Sequence, residues 1–177
     1  DTNKENLAFV LEISKKLKFK RALLIKTIQK FNGLKYRQQI ILKRKYLTII
    51  NDSKSTSFSS SIGVLQANHN IYWLLGGIYK KGDKFNLSKK YFNNIKAFIY
   101  GKNKNFFSKK LKGKIDYKNF DNLKDALKKV FTIIKKEKFI NKTILFSPCA
   151  ASFDSFKNFE DRGLYFNNLI KKHINGI

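Results

Sequence analysis

The sequence predicts an α/β fold on a mostly parallel sheet, and three observations carry that reading. Beyond residue 60, short apolar runs alternate with stretches of helical period, the pattern of strands joined by crossover helices. Residues 71–75, IYWLL, are apolar throughout, as in a strand buried on both faces, and Gly76-Gly77 ends the run. Residues 143–146, TILF, lead into the chain's one proline, Pro148, whose missing N–H suits a strand leaving its sheet. Phe156, Phe159, Gly163, Phe166 and Ile170 then recur at steps of three and four, the stripe of a helix packed on a core. Ser152 has the residue type of that helix's N-cap. Apolar strand, small-residue turn and helix N-terminus together make an anion-binding corner.

In chain order, residues 6–18 read as a helix with Leu7, Val10, Leu11 and Leu17 on one face. A second helix over 21–31 turns Leu24, Ile25 and Ile28 inward, and Asn32-Gly33 ends it. Two helices bury too little to be a domain, so a boundary is expected at residues 32–35. Residues 38–42 and 46–50 flank Lys43-Arg44-Lys45 as a β-hairpin. The polar run 52–61 reads as a loop before a helix at 62–67. A short helix over 87–94, a strand over 97–100, a helix over 105–111 and a brief strand at 115–117 follow. Asp121 has the type to cap the amphipathic helix through Leu123, Leu127, Val130, Phe131 and Ile134. In such sheets ligands sit outside the carboxyl ends of the strands.

Composition bounds the function. A chain of 177 residues suits one domain with a remnant of another. One cysteine, Cys149, excludes an internal disulfide framework, and with His69 and His173 gives no zinc-ligand spacing. No apolar run approaches the roughly 18 residues of a membrane span, and no secretory signal opens the chain, so the expected setting is cytoplasmic, without membrane insertion. The chain holds no methionine and begins at Asp1 ahead of a helix, which reads as a piece of a longer polypeptide. The formal net charge is +26, yet only four of the 38 basic residues are arginine and the lysines are spread throughout. Base reading and bidentate phosphate clamping lean on arginine, so no specific nucleic acid is expected.

Two polar segments follow strands. Asn51-Asp52-Ser53-Lys54-Ser55-Thr56 offers a carboxylate, an ammonium group and hydroxyls at a strand end. Leu74-Leu75-Gly76-Gly77 precedes Lys81-Gly82, but Asp83-Lys84 stands where a phosphate-binding P-loop needs Lys-Ser/Thr.

The wording of these segments, together with Ser147, Pro148, Ala151, Ser152, Asp154, Phe156, Asn158, Phe159, Arg162 and Gly163, resembles the cytoplasmic Mur ligases. The form is that typical of those adding D-glutamate to UDP-N-acetylmuramoyl-L-alanine, S-P-x-x-A-S-x-D-x-F-x-N-F-x-x-R-G. NDSKST resembles the family's N-D-S-K-A-T, with Ser55 for alanine. LLGG with Lys81-Gly82 resembles L-G-G-x-x-K-G. Phe31-Asn32-Gly33-Leu34 and Arg37 resemble F-x-G-L-x-H-R, with Tyr36 for histidine. Asn3 and Asn6 resemble H-N-x-x-N, with Thr2 for histidine. The five segments span the chain in order.

The resemblance implies a Rossmann-like domain over 34–177 that binds the amino acid, preceded at 1–33 by the last helices of a central ATP-binding domain. It implies ATP-dependent activation of a carboxylate to an acyl phosphate, then attack by the incoming amine. Lys54, Thr56, Lys81, Ser152 and Phe159 would contact D-glutamate. Asn6, Arg37 and Asp52 would face ATP, Arg37 on phosphate and Asp52 on ribose. Ammonium groups, hydroxyls and helix N-terminal amides complement a dicarboxylate. ATP and Mg²⁺ would be held mainly by the missing central domain, and the UDP-sugar by a missing N-terminal one. The chain, a monomer, carries no catalytic or metal-ligating set of its own and would not turn over alone. Two other readings are a stand-alone module for a small acidic ligand and a basic nucleic-acid-binding protein.

Overall fold

The computed structural model describes the backbone of residues 2–137 and 139–174, and side chains from residue 5. The side chains of Thr2 and Asn3 lie outside the described residues. The chain falls into two compact units, Asp1–Gly33 and Leu34–Ile177.

The first unit is a pair of helices, α1 (Thr2–Lys16) and α2 (Arg21–Lys30). Lys18 turns the chain between them at a φ of 54°. Neither helix is organised around a core of its own: α2 buries no residue, and Phe9, Ile13, Leu23 and Ile28 are exposed.

The second unit carries a six-stranded sheet in the order β1-β2-β6-β3-β4-β5. The strands are β1 (Gln39–Arg44), β2 (Leu47–Asn51), β3 (Ile71–Leu75), β4 (Ile95–Tyr100), β5 (Asp116–Phe120) and β6 (Lys142–Phe146). Only β1 runs antiparallel, as the outer half of a hairpin with β2 whose register shifts between Ile40 and Leu42. The fold class is therefore α/β with a mostly parallel sheet, as predicted. The hairpin is shorter at its tip than expected, since Arg44 pairs with Leu47 within the ladder.

Successive strand residues point to opposite faces. Trp73 and Leu75 pack beneath α3 (Phe58–Gln66) and α4 (Lys104–Leu111), against Phe58, Leu65 and Phe107. Tyr72 and Leu74 face α5 (Leu123–Ile134) and α6 (Phe159–Ile174), with Leu127, Val130, Phe131 and Phe166. Phe166 stacks on Phe146 with ring centroids 4.4 Å apart.

Four local expectations are corrected. The helix expected at 62–67 begins at Phe58, because Ser57 caps it and Ser60 answers in a capping box. Asn122, not Asp121, caps α5, accepting the N–H of Asp125 at 2.9 Å. Asp121 instead meets Lys104 Nζ at 2.5 Å. Residues 87–94 give only a 3-10 helix, Lys89–Asn94. Ser152 opens no α-helix: α6 starts at Phe159, with Asn158 Oδ1 accepting from Asp161 N–H at 2.7 Å. Residues 152–157 turn instead, the Ser152 carbonyl accepting from the N–H groups of Ser155 and Phe156.

A candidate amino-acid site at the carboxyl ends of the strands

Because β6 is inserted between β2 and β3, three parallel strands end side by side at Asn51, Phe146 and Leu75. The segments that follow them converge there, where an open α/β sheet places its ligands. The backbone stitches them together. Asp52 N–H donates to the Phe146 carbonyl at 2.7 Å, Ser147 N–H to Leu74 at 3.2 Å, and Gly76 N–H to Pro148 at 3.1 Å. Ile78 and Ala151 exchange both hydrogen bonds in an isolated bridge. The glycines permit this approach. A Cβ on Gly76 would lie 2.1 Å from the Tyr100 carbonyl oxygen, and one on Gly77 2.6 Å from that of Ala151.

The segment after β2 has an inner and an outer side. Asp52, Ser53 and Ser55 are buried, whereas Lys54 is half-buried and Thr56 exposed. Lys54 Nζ sits 3.9 Å from the centroid of the Phe159 ring, a cation–π contact that unites two of the predicted D-glutamate residues. The inner side explains how α6 is held for this. Asn51 Nδ2 donates to the Gly163 carbonyl at 2.9 Å and to Asn167 Oδ1 at 2.7 Å. Ser53 Oγ donates to the Phe159 carbonyl at 2.8 Å.

Arg162 locks the remaining strand end. Its side chain is 1% exposed. Nε donates to Ser53 Oγ at 3.1 Å, and Nη2 donates to the carbonyls of Ser53 at 2.7 Å and Ala150 at 2.9 Å. Burial pulls its pKa below the guanidinium's usual value, against the neighbouring Tyr100 and Asp154. Ala150 leads directly to Ser152, which is itself 3% exposed. Sequence reasoning named Arg162 as a motif residue but did not foresee this clamp. Its place in the apolar stripe of α6, beside Gly163, was the available signal. Gly163 has its own reason to lack a side chain: a Cβ there would fall 2.3 Å from the Tyr36 ring.

The other predicted residues fall as follows. Lys81 is exposed on the turn after Gly76-Gly77. Two residues on, Asp83 Oδ2 accepts the Phe58 N–H at 2.6 Å, which fastens that turn against the start of α3, just beyond Thr56. A carboxylate at a helix N-terminus is favoured by the helix dipole, a role the sequence reading, which used Asp83 only to exclude a P-loop, did not foresee. Arg37 is exposed. Asn6 lies on α1, in the other unit. Asp52 is turned inward: Oδ1 accepts from Gln38 N–H at 3.1 Å and Oδ2 from Ser147 Oγ at 2.8 Å. Burial pushes its pKa up to about 6 despite these donors and the nearby Arg37. With both oxygens engaged, Asp52 presents little to a ribose. Among the described residues no three His, Cys, Asp or Glu side chains gather as a metal set, and no helix is long and apolar enough to cross a membrane.

No family model matches the chain. Curated proteins named "UDP-N-acetylmuramoylalanine--D-glutamate ligase" do match, among them that of Wolbachia sp. subsp. Brugia malayi, 38% identical over 97% of this chain. Those of Rickettsia felis and Francisella tularensis are each 36% identical, over 99% and 95% of it. The chain covers 34%, 39% and 40% of these three proteins, so it spans little more than a third of their length. Over nearly all its residues, the chain is homologous to a C-terminal portion of the D-glutamate-adding Mur ligases.

Proposed function

We propose that this chain is the amino-acid-binding portion of an ATP-dependent ligase that joins D-glutamate to UDP-N-acetylmuramoyl-L-alanine in peptidoglycan precursor synthesis. The observation that carries the reading is the meeting of Lys54 and Phe159 at 3.9 Å, since each comes from a segment matching the ligases' wording and the fold joins them at the strand ends. Lys54, Thr56, Lys81 and Ser152 supply ammonium and hydroxyl groups to the two carboxylates of D-glutamate, and the Phe159 ring walls the pocket. Arg37 faces an ATP phosphate. Asp52 serves the nucleotide side by holding the Arg37–Gln38 backbone, as its engaged oxygens fit that better than ribose contact.

The bound amine attacks the carbonyl carbon of an acyl phosphate. A C–N bond forms, the bond to the phosphate oxygen breaks, and inorganic phosphate leaves with that electron pair while the amine loses a proton. This chain's residues bind and orient the amine; ATP and Mg²⁺, held by the rest of the ligase, would supply the activation. Residues 1–33 belong to the ATP-binding part and 34–177 form the amino-acid domain, working in the cytoplasm as a monomer.

Calorimetric titration tests the reading. The 177-residue chain should bind D-glutamate more tightly than L-glutamate and show no ATP-dependent ligation alone. Equal affinity for the enantiomers would remove the substrate assignment, and turnover by the chain alone would remove the division of labour.

A further inference from the structure

Behind the outward-facing Lys54 and Thr56 lies a row of buried hydroxyls that no step above uses. Ser55, Ser61 and Ser147 are 2%, 0% and 0% exposed. Ser55 Oγ lies 2.6 Å from Ser61 Oγ, Ser61 Oγ 2.6 Å from Ser147 Oγ, and Ser147 Oγ 2.8 Å from Asp52 Oδ2. The row therefore runs from the segment after β2, through α3, to the segment after β6, and back to the end of β2.

Proton counting gives the row a direction. An ionised Asp52 only accepts, so Ser147 must donate its single hydroxyl proton to it. Ser147 can then only accept from Ser61, and Ser61, its proton spent, accepts from Ser55 at 2.6 Å, a closer partner for that hydroxyl than the Ser57 carbonyl at 3.4 Å. Every O–H points toward Asp52, and each bond polarises the next. Cys149 Sγ, 2.9 Å from Ser61 Oγ, adds a weak side branch. Ser55 is the row's first link, and its own hydroxyl is buried. The consequence is directional. Anchoring the side chain of Ser55 inward fixes its two neighbours, Lys54 and Thr56, outward.

We propose that Ser55, Ser61 and Ser147 are positioning residues for the amino-acid site: the row orients the Lys54–Thr56 segment and ties it to the segment bearing Ser152. This rests on the D-glutamate reading of the site. It predicts that the hydroxyls act as one unit, which a set of separate packing contacts would not do.

The test is a double-mutant cycle on D-glutamate affinity in the 177-residue chain. Ser147→Ala should weaken binding about tenfold and Ser55→Ala about threefold. The double variant should be no weaker than Ser147→Ala alone, because one break already severs the row. Asn122→Ala, which uncaps α5 on the other face, should lower the melting temperature and leave the affinity unchanged. Ser55→Ala removes a single hydroxyl at the end of the row and keeps the test open if Ser147→Ala fails to fold. Affinities within twofold of wild type, or effects that multiply, overturn the proposal. Should wild type itself not bind D-glutamate, the site reading falls and the positioning role with it. Slowly exchanging serine hydroxyl resonances, expected for the buried row in either case, would separate that failure from absence of the row.

Discussion

The two ends of the sheet are built differently. At the carboxyl ends, buried polar groups meet one another: Asp52, Ser147, Ser61 and Ser55 in a row, and Arg162 on two carbonyls and a hydroxyl. At the amino ends, a hollow of about 260 Å³ opens between Tyr46, Leu47, Ile134, Phe139 and Lys142. Polar contacts there gather on one half-buried residue, Glu137. Tyr72 donates to Glu137, Lys96 Nζ reaches Glu137 at 3.3 Å, and Lys142 donates to the Glu137 carbonyl. What distinguishes the carboxyl ends is the investment of buried polar groups, each costly unless partnered, in holding short segments still.

The sharpest way to break this contrast is Arg162→Ala. It leaves the Ser53 and Ala150 carbonyls without donors and opens a cavity, so stability should fall by about 4 kcal/mol in denaturant titration, with loss of D-glutamate binding. A loss below about 1 kcal/mol would show that the clamp is ornamental.

Asp52 sharpens it next. Its folded pKa, about 6, lies above the ordinary 3.8, so the folded state holds the proton more tightly than the unfolded one. Its contribution to stability is complete below about pH 3.8 and is lost as pH rises through about 6. The difference of about two units corresponds to about 3 kcal/mol. Asp52→Asn should remove that slope, matching wild type near pH 4 and exceeding it at pH 8. A variant whose stability still fell across that interval would assign the slope elsewhere.

The smallest effect is expected at the amino ends. Tyr72→Phe deletes one hydrogen bond to Glu137 and should cost about 1 kcal/mol, leaving D-glutamate affinity unmoved. A change in affinity would mean that the two ends communicate.

Much of the architecture was legible because the signals were local. Residues 71–75 and 143–146 announced buried strands by composition, and the stripe of α5 announced a helix. Local signals also misled. Phe156 extends the spacing of Phe159 and Phe166, so the periodicity ran the helix back to Ser152, whereas the chain spends residues 152–157 on a turn that brings Asp154 beside Gly101. Adjacent Asp121 and Asn122 are both capping types, and the choice between them was decided by a distant partner, Lys104. At the site, motif wording gave Lys54 and Phe159. The inward roles of Asp52, Ser55, Asp83 and Arg162 were not legible, because each depends on a partner from another strand end, and which ends meet follows from strand order.

That order has a consequence in time. β6, with its neighbours β2 and β3 on either side, enters the sheet from the last quarter of the described chain. During synthesis, β2 with its hairpin and β3 with β4 and β5 therefore emerge as two separate ribbons with unsatisfied inner edges. Neither can close until residues 142–146 clear the ribosome. The nascent protein must keep two half-sheets apart until the central strand arrives, which is when exposed edges are most open to wrong pairing and a chaperone has most to protect.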